Sequence, residues 1–138
     1  MKRDKIDSIF SLLIRERSEW NCEYSGLYFP EPDRISLHCA HIIGRKYLQT
    51  RHHPDNAIAL AAKHHAYFTD HPADFGAWIT KYMGEGRLQL MREKAHSNVK
   101  WTKADKEDLY QHLKKEYAIM IQKRKDGVRG RIDFEAFN

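Results

Sequence analysis

The sequence predicts a mostly helical α+β fold in one domain, with a single short β-hairpin set among helices. Three observations predict it. Apolar residues recur at helical spacing in several separated stretches, only one neighbourhood (35–59) has strand-like extended character, and 138 residues can bury one core but not two independent ones.

Each element follows from its own pattern. From Asp4 to about Arg17, Ile6, Ile9, Phe10, Leu13 and Ile14 keep helical spacing with Lys5, Arg15 and Arg17 on the other faces, which predicts an amphipathic opening helix. Between Trp20 and Arg34, aromatic residues mix with Gly26, Pro30 and Pro32, as in a compact, turn-rich connection. Ile35 to Ile43 reads as a strand with Ile35, Leu37, Cys39 and His41 on one face, ended by Gly44. The polar stretch 45–55, closed by Pro54, reads as a loop. A second extended piece follows at 56–59, then a helix from about Leu60 to Phe68.

Pro72 opens a further helix whose stripe of Phe75, Trp78, Ile79 and Tyr82 stops at Gly84. Another spans Arg87 to Ala95. Thr102 with Asp105 forms a capping-box pattern ahead of a long helix through Leu109, Leu113, Tyr117, Met120 and Ile121 to about Lys125. The pattern leaves open whether the tail, 126–138, packs back or stays mobile. Residues 1–138 thus read as one domain, with a hairpin-and-helix core over about 35–70 and a helical extension over about 72–125. It contains no internal repeat and no low-complexity segment.

Charge and composition narrow the class. Twenty-four Lys and Arg against nineteen Asp and Glu leave +5 with nine His neutral, a balance that suits a polyanionic partner but equally a merely basic surface. No apolar run approaches the ~20 residues that span a bilayer, and MKRDKIDSIF places acidic residues where a signal peptide is apolar. A cytoplasmic protein is expected, without a membrane partner. Cys22 and Cys39 cannot build a disulfide framework, which fits a reducing compartment.

One stretch, LHCAHIIGRKYLQTRHHPDNAIALAAKHH, carries His41, Asn56 and the pair His64-His65. Hydrolysis of a phosphodiester needs a base to deprotonate water, a cation to neutralise charge on the phosphorane, and stabilisation of the leaving 3′ oxygen. Imidazole supplies the first, and a divalent metal held by His and a neighbouring ligand supplies the others. With His41 at a strand end and His65 on the next helix, a short hairpin brings them across a metal-sized cleft. Asn56, at the turn between, either fixes the loop by hydrogen bonds or lends its oxygen to the metal. Singly, these residues are unspecific: a strand-end His is more often a satisfied structural residue than a base, and Asn after Pro-Asp is most often a turn residue.

The segment as a whole resembles the HNH family, the His-Me or ββα-metal finger endonucleases, and most closely the phage recombination nucleases of the NinG (Rap) type. FSLLIRERSEWNCEYSG is similar to their opening helix and Cys-x-x-Cys-Gly knuckle, and YFTDHPADFGAWITKYMGE to their Pro-containing helix that ends in Gly. The resemblance implies a ββα-metal finger with flanking helices. It implies His41 as general base, Asn56 as the central Asn and His65 as the helix metal ligand, with Asn56 a second candidate ligand. His65 is preferred to His64 because Leu60 aligns with the Leu of the family's Leu-Cys-x-x-Cys-His pattern.

Two departures matter. Where many relatives carry four cysteines around a structural zinc, this chain has Cys22, Ser25, Ala61 and His64, so no structural zinc is expected and Trp20, Tyr24 and Leu60 must brace the finger. Where many relatives carry Asp or His directly before the base, this chain has Ala40. The metal shell then rests on His65 with Asn56 or water, with His38 and His64 as further candidates.

Arg45, Lys46 and Arg51 lie in the loop between base and Asn, as phosphate contacts or as solvated loop charges. Lys114, Lys115, Lys123, Arg124, Lys125, Arg129 and Arg131 concentrate charge toward the C-terminus, more simply as the wet side of a long helix. The resulting expectation is a Mg²⁺- or Mn²⁺-dependent DNA endonuclease, phage- or prophage-encoded, acting in recombination or processing and possessing DNA, branched DNA included, as its partner. Zn²⁺ is a candidate occupant on purification, because imidazole prefers it. The alternatives are a catalytically silent DNA-binding module that keeps the fold, and a site-specific restriction or homing-type enzyme, against which the lack of a base-reading module counts.

Overall fold

The computed structural model describes residues 2–137. In chain order the elements are α1 (Lys5–Arg17), β1 (Leu37–His41), α2 (Leu48–Arg51), a 3₁₀ turn (Pro54–Asn56), β2 (Ala57–Ala61), α3 (Ala62–Asp70), α4 (Pro72–Met83), α5 (Glu85–Ala95) and α6 (Lys103–Lys125). The α+β, mostly helical architecture is the expected one. No described helix is long and apolar enough to cross a membrane.

α1 starts at a reciprocal cap. The Asp7 N–H donates to the Asp4 carboxylate at 2.9 Å, and the Asp4 N–H donates to the Asp7 carboxylate at 3.0 Å. Its apolar stripe, Ile6, Phe10, Leu13 and Ile14, is buried against the hairpin and α6. Past Ser18 the chain turns through two left-handed residues, Glu19 and Trp20 (φ 55° and 59°), a conformation disfavoured for L side chains. Trp20 is held there by burial and by donation from its indole N–H to Glu16 at 2.7 Å.

β1 and β2 pair antiparallel in the register Leu37↔Ala61, Ala40↔Ile58 and His41↔Ala57. The hairpin is shorter and later than the sequence implies. Ile35 lies outside β1 and is 86% exposed, and α3 begins at Ala62, two residues after the expected Leu60. All five residues of β2 are buried, so the alternation that marks a half-buried strand is missing and AIALA blends into the helix that follows. The 45–55 stretch also folds locally, into α2 and the first residues of the 3₁₀ turn.

The positions of the lost knuckle are filled by protein. Cys22 is buried and its Sγ accepts the Ser25 N–H at 3.4 Å, while His64 packs edge-on against Tyr24 with ring centroids 5.0 Å apart. Tyr24 also meets Phe68 and Trp78, so α3 and α4 flank it on one side while its outer side stays exposed. Trp20, Tyr24 and Leu60 do pack here, but a polar brace that sequence reading missed accompanies them. From α1, Arg15 Nε donates to the Leu37 carbonyl at 2.7 Å, and Arg17 donates to the Pro54 and Ala57 carbonyls at 2.7 and 2.6 Å. On the other side Glu23 engages Ala59 twice: its backbone N–H donates to the Ala59 carbonyl at 2.8 Å and its carboxylate accepts the Ala59 N–H at 2.7 Å. Arg17 and Glu23 pair at 3.6 Å, both side chains almost fully buried.

The tail packs back. The Ile132 N–H donates to the Arg17 carbonyl at 3.1 Å, Phe134 meets Phe10 edge-on, and Phe137 lies against Trp101. Arg124 near the end of α6 binds Glu16 through its carboxylate at 3.0 Å and its carbonyl at 2.7 Å, tying α6 to α1.

Candidate active site

His41 ends β1, where the strand opens into the 42–56 loop. Its Nε2 lies 2.8 Å from the Arg51 carbonyl oxygen. A carbonyl only accepts, so Nε2 carries the proton and Nδ1 is left with a free lone pair. Burial pushes the His41 pKa down to about 4, against the opposing effect of that hydrogen bond, so the ring is neutral at neutral pH. A neutral, oriented imidazole is what a general base requires.

Asn56 fastens the loop that presents the Arg51 carbonyl. Its amide NH₂ donates to the Ile43 and Thr50 carbonyls, both at 3.0 Å, and its Oδ1 accepts the Ile43 N–H at 2.8 Å. The side chain is sealed from solvent. Of the two roles the sequence left open, the geometry supports the brace. The Asn56 oxygen is committed and buried, which argues against a place in a metal shell.

Arg51 also departs from expectation. Its guanidinium turns inward onto Asp7, Nε meeting one carboxylate oxygen at 3.0 Å and NH2 the other, and donates to the Lys2 carbonyl at 3.2 Å. Buried this way, it positions a backbone carbonyl for His41 instead of gripping phosphate. Asp7 is the hub of the network, since Arg45 (3.1 Å) and His52 (2.8 Å) reach it too. Burial alone would raise the Asp7 pKa, but Arg51, the Asp4 N–H and His52 together hold it well below the usual carboxylate range. His52 itself is shifted down by burial despite Asp7, so it serves as a neutral N–H donor.

His65, on the first turn of α3, points to the same cleft as His41, whereas His64 is occupied by Tyr24. The His65 Nδ1 lies 3.0 Å from the Nδ1 of His38, whose Nε2 is 3.0 Å from the Ile35 carbonyl. His41 and His65 both line a cleft of about 600 Å³, rimmed by Arg3, Arg45 and Lys46, and a smaller hollow of about 200 Å³ against Phe68 and Phe75. Lys46 is exposed and Arg45 is partly so. Arg3, which donates to Ser11 Oγ at 2.6 Å, and Asp7 were missed from sequence, because no motif surrounds either of them.

Asp4, Asp7 and His52 bring possible ligand atoms within 4.8 Å of one another. Two guanidinium groups already occupy the Asp7 oxygens, and the His52 nitrogen that faces them carries a proton, so this cluster does not fit a metal. A separate hollow of about 440 Å³ between α6 and the tail is bordered by Glu116, Asp133 and Glu135, a poor surface for phosphate.

A strand-end imidazole and a helix-borne imidazole face one cationic cleft across the ββα unit. Residues 22–72, a little over a third of the chain, match the family model described as HNH endonuclease. No curated protein and no solved structure matches the chain.

Proposed function

We propose that this protein is a divalent-metal-dependent DNA endonuclease in which His41 is the general base. The observation that carries the reading is the hydrogen bond from His41 Nε2–H to the Arg51 carbonyl, which leaves Nδ1 unprotonated beside a cationic cleft. In the reaction, His41 Nδ1 takes a proton from water as the water oxygen attacks phosphorus. The P–O3′ bond breaks, leaving a 5′ phosphate and a 3′ hydroxyl. Arg45 and Lys46, with Arg3 opposite, hold phosphates in the cleft by charge and read no base edges. Asn56 and Arg51 keep the His41 ring in register.

Of the donors in the cleft, His65 fits a metal: it is a neutral imidazole, shifted down by burial, on a rigid helix. A bound divalent cation there supplies charge neutralisation for the phosphorane and the leaving oxygen. The family resemblance supports action on DNA structure, branched intermediates of phage recombination included, over a defined sequence.

The test is nicking of supercoiled plasmid with Mg²⁺, Mn²⁺ or EDTA, beside His41→Ala. Cleavage that needs metal and falls at least about a hundredfold in the mutant is expected, the scale of a positioned general base. Equal activity in the mutant removes this mechanism, and no cleavage with any metal favours a silent DNA-binding module. Branched and linear substrates compared side by side then test the structural preference.

A further inference from the structure

We propose that His38 and His65 form a two-imidazole chelate for a borderline divalent transition metal of the Mn²⁺ to Zn²⁺ series, with His38 as the second protein ligand. The inference rests on the metal-dependent reading above and extends it to a residue outside the His-Asn-His series.

The two Nδ1 atoms lie 3.0 Å apart. Adjacent corners of an octahedron with metal–nitrogen bonds of about 2.1 Å are about 3.0 Å apart, so one cation reaches both rings without moving either far. The proton positions agree. The Ile35 carbonyl can only accept, so His38 Nε2 carries the hydrogen and His38 Nδ1 presents a lone pair. Without a cation, His65 Nδ1–H donates to that lone pair. With a cation, the His65 proton moves to Nε2, and two nitrogen–metal bonds replace one N–H···N bond.

Anchoring of the distal N–H on a backbone carbonyl is also the usual device that fixes the orientation of a metal-binding histidine. Here His38 has it from Ile35, independently of the contact with His65.

Placement supports the same conclusion. His38 pairs with Leu60 in the hairpin and stands three residues before His41, so it is held by the same strand that holds the base. Ala40, directly before the base, is buried and has no donor, and the Asn56 oxygen is taken by the Ile43 N–H. A pair of imidazole ligands without a carboxylate favours Mn²⁺, Co²⁺, Ni²⁺ or Zn²⁺ over Mg²⁺, because nitrogen donors suit the borderline ions.

The experiment is calorimetric titration of the DNA-free protein with Co²⁺ and with Mg²⁺, on the wild type and on His38→Ala, His38→Gln, His65→Ala and His41→Ala, with circular dichroism to confirm folding. Plasmid nicking is measured in parallel. One Co²⁺ site is expected, at least about tenfold tighter than Mg²⁺, weakened tenfold or more in both His38 variants and in His65→Ala, and retained in His41→Ala. ¹⁵N shifts of the His38 and His65 imidazoles should move together on Zn²⁺ addition. Wild-type Co²⁺ affinity in folded His38→Ala and His38→Gln overturns the chelate while leaving a metal-dependent nuclease intact. A wild type that neither binds these metals nor nicks DNA overturns both readings.

Discussion

Asp7→Asn is the sharpest test of how the base is positioned, because the change keeps the shape of the side chain and removes its charge. In the folded protein this carboxylate is buried and receives Arg51 through two nitrogens, Arg45, His52 and the Asp4 N–H. Arg51 is equally buried, so its guanidinium loses the charge of this paired carboxylate while staying out of water. Breaking a buried pair from one side costs about 3–5 kcal/mol. For a chain of 138 residues, an unfolding entropy of about 2.1 cal/mol/K per residue makes 1 kcal/mol worth about 3.5 °C, so Tm should fall by about 10–17 °C. The Asp7 pKa is depressed in the folded state, so its contribution is complete above about pH 5 and is lost as the pH falls below about 4 toward the folded value. The Tm gap between wild type and mutant should therefore be flat from pH 5 to 8 and narrow on acidification. Below the new Tm, nicking should also drop, because the Arg51 carbonyl no longer fixes His41. Scanning calorimetry across pH together with a nicking assay reads both. A gap under about 3 °C at pH 7 with wild-type nicking refutes the network as the support for the base.

Other expectations follow from the same geometry. His41 is driven down to about 4 by burial, so the acid limb of the kcat/KM profile should fall near that value, and a limb near 6.5 would mean that the working ring is solvated. By the same sign, His41 adds stability that is complete above 6.5 and is lost as the pH falls toward 4. Lys46→Ala should weaken DNA binding across all sequences and flatten the slope of log K against log salt by about 1, as seen in fluorescence anisotropy at several salt concentrations; Arg51→Lys should leave that slope unchanged. Arg17→Met should lower stability by about 3–5 kcal/mol in urea unfolding, since the Pro54 and Ala57 carbonyls and Glu23 lose their buried donor. EDTA should leave a cooperative unfolding transition in place, whereas its disappearance would reveal a structural metal.

Much of the fold was legible because local signals agreed with tertiary ones. The Thr102 and Asp105 cap, the Pro72 start and the Gly84 stop each fall where a helix begins or ends. Gly84 has φ 89°, a conformation that suits glycine and breaks the helix there. β2 was misplaced because total burial erases alternation. Ile35 was misplaced because β-branching resembles a strand whether or not the chain pairs. At the site, the order of His41, Asn56 and His65 was readable, while the inward turn of Arg51 was not. A loop arginine looks the same in sequence whether it faces phosphate or Asp7, 44 residues away. Asp7 was hidden as well, since nothing in the opening helix pattern shows that one residue both caps α1 and anchors the loop after β1.

On the proposed reading, that double use of Asp7 is how α1 holds His41 in register. A structural zinc would fix the hairpin through four side chains at one point. Here the constraint is spread along α1, whose Asp7 holds the loop after β1 through Arg51, whose Arg15 holds the start of β1, and whose Arg17 holds the start of β2. These three contacts lie on a single rigid helix, so the two ends of the loop cannot move independently of the strand that carries His41. Glu16, between Arg15 and Arg17, binds Arg124 of α6, which fastens the helix in turn. The long C-terminal helix therefore supports the helix that braces His41, and its removal should release α1 and misplace His41 even though no residue of α6 lines the His41–His65 cleft.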